Sequence, residues 1–125
     1  MNQEINGVVK LLLPAIMILA IAGFSACEKY SYNPPIVDPT EVYKLSADIQ
    51  PVFNAKCVSC HGGLKAPDLR DGKAFQSLKD GNYVNLPAES SKLYVVMKSS
   101  GHISRSSETE RLKVLNWISQ GALNN

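Results

Sequence analysis

IQPVFNAKCVSCHGG, residues 49–63, joins a helical pattern to a dense group of reactive side chains. Its apolar residues recur at i, i+3 and i+4, the spacing of one helix face: Ile49, Val52 and Phe53. We expect Ser46 to cap this helix and Asp48 to favour its first turn, where the helix dipole is positive. The same helix is predicted to run into His61 and to end at the glycine pair that follows.

Cys57, Cys60 and His61 form the pattern C-x-x-C-H, which is the attachment pattern of a c-type haem. Two thiols three positions apart on a helical turn can each add to one haem vinyl group and form two thioethers. The adjacent imidazole then reaches the iron from the proximal side. The pattern therefore predicts one covalently bound haem c, attached through Cys57 and Cys60, with His61 as the proximal axial ligand.

Three other uses of these cysteines are weaker. A zinc site needs about four Cys or His ligands, and once Cys27 is set aside the chain holds only two of each. A thioredoxin-like C-x-x-C needs a βαβ context, which the sequence lacks. A disulfide between Cys57 and Cys60 would close a small and strained loop. Haem attachment is therefore the better interpretation.

The N-terminal segment has the layout of a secretory signal. Lys10 is followed by LLLPAIMILAIA, residues 11–22, and no further charge occurs before Glu28. A transmembrane helix needs about 20 apolar residues, and this core is shorter. Residues 1–26 are therefore predicted to be an export signal, with an uncleaved membrane anchor as the alternative.

The end of that segment, GFSAC at residues 23–27, resembles a bacterial lipobox with Phe24 in place of the usual leucine. A lipobox cysteine is diacylated and becomes the new N-terminus, and more than one acyl chain gives stable anchoring. Cys27 is the predicted lipidation site, in preference to ordinary cleavage that would leave a free thiol. The chain would then be exported and lipid-anchored on the periplasmic side of the inner or the outer bacterial membrane. Export agrees with haem attachment, which takes place outside the cytoplasm.

Residues 27–45 are expected to form the lipidated N-terminus and a proline-rich tether. Three prolines within residues 34–39 resist helix formation and favour an extended spacer. A second interpretation, in which residues 36–45 pack along the following domain, stays open. The domain itself is assigned to residues 46–125.

Helical patterns continue to the C-terminus. A short helix is predicted around Phe75, and another opens at Pro87 and carries an apolar face. In the last helix Ser107 and Glu110 form a capping box, and Gly121 is the stop. No strand alternation of useful length occurs in the sequence, so the predicted fold class is all-α.

Composition limits the classes of function. A chain of 125 residues allows one small domain, and 45% hydrophobic with 19% charged residues excludes full disorder. The formal net charge of +2 argues against a nucleic-acid binder with a basic surface. The nearly balanced charge also gives no sign of the surface that a protein partner would present.

Residues 46–125 resemble a small monohaem class I cytochrome c of the type found on bacterial lipoproteins, those of Bacteroidetes-type bacteria in particular. The resemblance depends on three stretches: IQPVF at 49–53, CVSCH at 57–61 and WISQGA at 117–122. It implies a small cytochrome c fold, three to four helices wrapped around one covalent haem, with crossing N- and C-terminal helices. Phe53 and Trp117 would then pack near the haem edge.

The resemblance also implies a distal methionine in the loop before the last helix, but SSGHISR, residues 99–105, contains none. His102 lies in this loop and is the preferred distal axial ligand. Met97, on the apolar face of the preceding helix, is the alternative, and an iron with an open sixth position is the third possibility. A His/Met pair would give a higher reduction potential than a His/His pair.

Five further residues are expected near the haem. The resemblance places Arg70, Tyr83 and Asn85 in the segment that holds the haem propionates. The loop after a C-x-x-C-H helix has to return past the proximal histidine, so Pro67 and Leu69 are expected on the proximal face.

These features together predict an electron carrier and not an enzyme. Single electrons would pass between a donor and an acceptor redox protein, and the lipid anchor would hold the carrier at the membrane. The carrier is expected to be a monomer or a subunit of a respiratory assembly. Two alternatives use the same haem: a gas or peroxide sensor or enzyme with an open sixth iron position, and a fixed haem relay in a larger respiratory complex. A zinc-binding lipoprotein would lack haem.

Overall fold

The computed structural model describes residues 37–125, and the regular structure in this part of the chain is helical. Its α-helices are α1 Gln50–Lys56, α2 Ala74–Asp80, α3 Lys92–Met97 and α4 Glu108–Ser119. A π-helical turn, Leu45–Ile49, leads directly into α1, and short 3₁₀ turns, Ala88–Ser90 and Ile103–Arg105, precede α3 and α4. Residues 37–125 contain no β-strand, so the predicted all-α fold class is confirmed.

None of the helices within residues 37–125 is both long enough and apolar enough to span a membrane. The predicted export signal at 1–26, the predicted lipidation site Cys27 and most of the tether lie outside the described residues.

The hydrophobic core joins the N-terminal turn to helix α4. Six of its large apolar side chains have almost no exposed surface: Ile49, Phe53, Leu78, Val114, Trp117 and Ile118. Helix α4 packs against the turn Leu45–Ile49, so the first and last helical segments of residues 37–125 are in contact. Burial of apolar surface of this kind is the main favourable term in folding.

The first helical turn begins differently from the prediction. Lys44, not Ser46, precedes the turn, and the Asp48 carboxylate accepts a hydrogen bond from the Lys44 backbone N–H at 2.8 Å. The Ser46 hydroxyl instead donates to the Asn125 carbonyl oxygen at 2.8 Å. The prediction that Ser46 caps the helix is wrong because the wider π-turn starts earlier and brings the Asp48 carboxylate back to the free N–H.

The two ends of the described chain are tied together by hydrogen bonds. Asn125 Oδ1 accepts from the Leu45 backbone N–H at 3.0 Å. The Gln120 side chain accepts from Tyr43 N at 3.0 Å and donates to Glu41 O at 2.7 Å. Tyr43 is only 2% exposed. The end of the predicted tether is therefore part of the packed body, which is the second of the two interpretations left open for it.

Helix α1 ends at Lys56, earlier than the prediction that it runs into His61. Cys57 has a φ of −121°, which lies outside the helical range. The motif forms a hydrogen-bonded turn instead, in which the N–H groups of Cys60 and His61 donate to the Cys57 carbonyl at 3.0 and 2.9 Å. The predicted extent of the helix is wrong, but the turn keeps the motif residues close together.

Helix α4 begins with the predicted capping box. Glu110 N donates to Ser107 Oγ at 3.2 Å, and Ser107 N donates to the Glu110 carboxylate at 2.7 Å. These bonds satisfy backbone N–H groups that the start of a helix leaves without partners. They also fix the direction in which the chain enters α4 from the loop that contains His102.

Replacing Ser107 by alanine (Ser107→Ala) should lower the free energy of unfolding by about 1 kcal/mol, because the N-cap hydroxyl is lost. Urea denaturation followed by far-ultraviolet circular dichroism measures the change. Ser100→Ala is the matched control, since Ser100 is exposed and a surface change of this kind costs less than about 0.5 kcal/mol. Equal effects from the two substitutions would contradict the role of the cap.

Candidate functional site

An open cleft of about 200 Å³ lies beside the C-x-x-C-H turn. The five residues predicted to hold the haem all line it: Cys57, Cys60, His61, Met97 and His102. Its walls are mainly apolar, and four further apolar residues contribute to them: Pro67, Leu69, Leu93 and Val96. The fold therefore brings the predicted site residues together although they come from three separate segments of the chain.

His61 is oriented by the loop that follows it. Its Nδ1 lies 3.1 Å from the carbonyl oxygen of Pro67, and because a carbonyl can only accept, Nδ1 carries the proton. The other ring nitrogen, Nε2, then keeps its lone pair, which is the form in which imidazole binds a metal. Pro67 and Leu69 are buried beside His61, on the side of the cleft where the returning loop was expected.

The loop from His61 to Leu69 is fastened at three points. Leu69 N donates to His61 O at 2.8 Å, which closes the loop. Gln50 on α1 is 5% exposed, and its Nε2 donates to Leu69 O at 2.9 Å. The Ser77 hydroxyl on α2 accepts from Asp68 N at 2.8 Å. The carbonyl that orients the imidazole therefore belongs to a loop that is tied to two helices.

Both motif cysteines are free thiols, and no disulfide joins them within the described residues. Cys57 is partly buried, whereas Cys60 is exposed. Burial raises the pKa of the Cys57 thiol, and the nearby Glu110 carboxylate and the Cys60 thiol add to this shift. These surroundings therefore favour the thiol form of Cys57 over its thiolate.

His102 lies beside His61 in the same cleft. The two ring centroids are 6.5 Å apart, and the ring planes are inclined at 40°. His102 is half-buried, and its backbone N–H donates to the Ser99 carbonyl at 2.9 Å. Its Nδ1 lies 3.3 Å from the Ser99 hydroxyl. The structure thus pairs the two histidines of the chain, which are far apart in the sequence.

Met97 reaches the cleft from the last turn of α3. It is 7% exposed and belongs to the main hydrophobic core. A buried thioether on an apolar helix face is ordinary core packing. Both candidates for the distal ligand therefore line the cleft, Met97 as part of its packed wall and His102 from a loop.

Three cations also line the cleft: Lys56, Lys65 and Arg105. Within residues 37–125 neither of the two lysines forms an ion pair with a carboxylate. Sequence reasoning missed this group because its members are spread over the chain and the total charge is nearly balanced. The available signal was local, since Lys56 and Lys65 stand on either side of the C-x-x-C-H motif.

Of the three residues expected near haem propionates, Tyr83 lines the cleft, and the other two do not. Arg70 pairs with the Asp68 carboxylate at 2.7 Å, and the hydrogen bonds of this pair lower the pKa of Asp68. The Asn85 side chain donates to the Asn82 carbonyl at 3.2 Å. Both side chains have found partners two or three positions away in the chain, which local geometry makes easy to reach.

The donor atoms in the cleft fit a group that carries its own metal ion. Within residues 37–125 no three His, Cys, Asp or Glu side chains are grouped closely enough to bind a metal by themselves. The cleft offers two thiols and two imidazoles between apolar walls. Such a set can hold a flat apolar macrocycle, with the thiols as attachment points and an imidazole nitrogen as a ligand of its metal ion.

Comparison of the chain with known protein families, with curated proteins and with solved structures gave no match. The C-x-x-C-H motif and the residues that line the cleft are therefore the features that indicate a function.

Gln50→Leu should lower the free energy of unfolding by about 1–3 kcal/mol, because the buried Leu69 carbonyl loses its donor. Gln76→Leu is the control: Gln76 is an exposed glutamine on α2 that bonds Asp80 at 2.6 Å, and its loss should cost less than about 0.5 kcal/mol. Urea denaturation of both variants measures the difference. A Gln50→Leu protein as stable as the control would mean that this bond does not hold the loop.

Proposed function

We propose that this chain is a membrane-tethered c-type cytochrome that carries single electrons between redox proteins outside the cytoplasm. One covalent haem c is held by Cys57 and Cys60, and His61 is an axial ligand. The observation that supports this proposal is the convergence of two thiols and two imidazoles on one cleft with apolar walls. The bound haem supplies the one-electron chemistry, while the chain holds and orients it.

The residues of the cleft suit electron transfer in two ways. Apolar side chains such as Leu69 and Leu93 control the access of solvent to the metal, and this access is one of the factors that set its potential. Cys60 is exposed at the same cleft. One attachment point therefore lies at the protein surface, where a partner can approach.

The cations that line the cleft favour partners with an acidic surface. Lys56, Lys65 and Arg105 place three positive charges around this cleft although the formal net charge of the chain is only +2. Such a local field steers the approach of an acidic protein and raises the rate of association more than the affinity. Weak docking through a small interface is usual for electron-transfer partners, because each complex must separate quickly.

A lipid anchor at Cys27 completes the proposal. Anchoring confines the carrier to the surface of one membrane, and the tether lets the helical domain reach partners in the same membrane. The effective concentration of those partners then exceeds their bulk value.

Covalent haem is the first test. The full chain, expressed in bacteria with haem-attachment machinery, should keep its haem after denaturation and give a c-type pyridine haemochrome spectrum. The double variant Cys57→Ser/Cys60→Ser should lose all covalent haem, because no thiol remains in the cleft. Cys27→Ser is the matched control, since it removes a cysteine outside the motif and should keep the wild-type haem content. Wild-type protein without covalent haem would refute the proposed function.

Lipidation is tested separately. The wild-type chain should incorporate a labelled fatty acid and lose residues 1–26, whereas Cys27→Ser should lose all of the label and keep the signal segment. Autoradiography and mass spectrometry of the purified chains measure both changes. Cys57→Ser should be labelled like the wild type. A wild-type chain that is cleaved but carries no label would instead support ordinary export.

A further inference from the structure

We propose that His102 is the second axial ligand of this haem, and that the Ser99 hydroxyl positions it for that role. The inference rests on the proposed function, since it names the ligand that completes the same iron site. A second imidazole would then stand where the resemblance implies a methionine.

The separation of the two histidine rings agrees with the separation of two imidazoles that bind one metal ion. A metal–imidazole bond is about 2.0–2.1 Å long, and the bound nitrogen lies about 1.15 Å from the centre of its ring. Two imidazoles on opposite sides of one metal therefore have ring centroids about 6.3–6.5 Å apart. The separation of His61 and His102 is 6.5 Å. Their inclination of 40° is compatible with ligation, because each ring can turn about its own metal–nitrogen axis.

Hydrogen bonds hold both imidazoles in the tautomer that ligation needs. The Pro67 carbonyl keeps the proton of His61 on Nδ1. Ser99 does the same for His102: its hydroxyl donates its one proton to the Val96 carbonyl at 2.7 Å. The Ser99 oxygen can therefore only accept from His102 Nδ1, which lies 3.3 Å away. In each ring Nε2 is the nitrogen that keeps its lone pair.

The loop that carries His102 is held from both sides. The backbone N–H groups of His102 and Ile103 donate to the Ser99 carbonyl at 2.9 and 2.8 Å. From α4, Arg111 donates to the Ile103 carbonyl at 3.0 Å. A ligand on a loop that is already fixed loses little conformational freedom when it binds.

Met97 is less suited to ligation although it lines the same cleft. It is 7% exposed and packed among core residues, so a shift of its sulfur toward a metal would disturb the packing that it completes. His102 is half-buried and lies in a loop outside the helices.

Ligation by two histidines has functional consequences. The reduction potential would be lower than that of a His/Met site. The iron would also have no vacant position for a small gas or peroxide. This favours electron transfer over the sensor or enzyme with an open sixth position.

Spectroscopy of the haem-loaded full chain tests the ligand without any substitution. We expect low-spin haem in both oxidation states and no weak near-infrared sulfur-to-iron band in the ferric protein. The presence of that band would overturn the role of His102 and support Met97. A high-spin wild-type protein would overturn both candidates.

Two variants test the same assignment. His102→Ala should convert the haem to high spin and raise the affinity of the reduced protein for carbon monoxide by roughly tenfold or more. Met97→Leu tests the rival ligand: it removes the thioether, keeps an apolar side chain of similar volume and should leave the haem low spin. The opposite pattern would refute the proposal.

The role of Ser99 has its own readout. Ser99→Ala should leave the fold and the covalent haem intact. It should shift the reduction potential and raise the carbon monoxide affinity by about tenfold, because the His102 imidazole loses the acceptor that orients it. Ser99→Thr keeps a hydroxyl and should restore the wild-type values. A Ser99→Ala protein with the wild-type potential would show that Ser99 does not position the ligand.

Failure of this inference can be distinguished from failure of the proposed function. The pyridine haemochrome reports covalent haem whatever the distal ligand is. Covalent haem together with a sulfur-to-iron band would keep the carrier and refute His102 as the ligand. Absence of covalent haem would refute both.

Discussion

The hydrogen bond between His61 Nδ1 and the Pro67 carbonyl, 3.1 Å long, is the contact on which the site depends. This hydrogen bond requires the chain to turn back toward His61 directly after the motif ends. The turn is kept in place by Gln50 from α1 and by Ser77 from α2. Since the core packs these elements together, the orientation of one imidazole depends on the packing of the helical body.

Short-range signals made a large part of this structure predictable. The capping box of Ser107 and Glu110 lies within one helical turn, so the sequence alone indicates where α4 begins. The C-x-x-C-H motif identified three lining residues of the cleft, because its chemistry requires them to be adjacent. His102 was predicted to lie at the same site because its loop contains no methionine, which is also a local observation.

The features that the sequence did not reveal depend on contacts between distant segments. Ser46 is a good N-cap by type, but Asn125 from the other end of the chain takes its hydroxyl. Lys56 and Arg105 lie on different segments, and only the fold brings them to one cleft. Arg70 does not line the cleft, and the reason is local, because Asp68 two positions away is easier to reach.

The positions of the two histidines in the chain link the site to the stability of the fold. His61 precedes α2 and His102 follows α3. Any group bound to both histidines would therefore connect the segment before α2 to the segment after α3. Small domains bury a limited share of their surface, and a ligand that binds only the folded chain stabilises it by mass action. A covalently attached group cannot dissociate, so its effective concentration stays high. Its contacts would therefore stabilise the fold, as a disulfide or a structural metal does in other small proteins. The residues that orient the two imidazoles would therefore act on folding as well as on the proposed electron transfer.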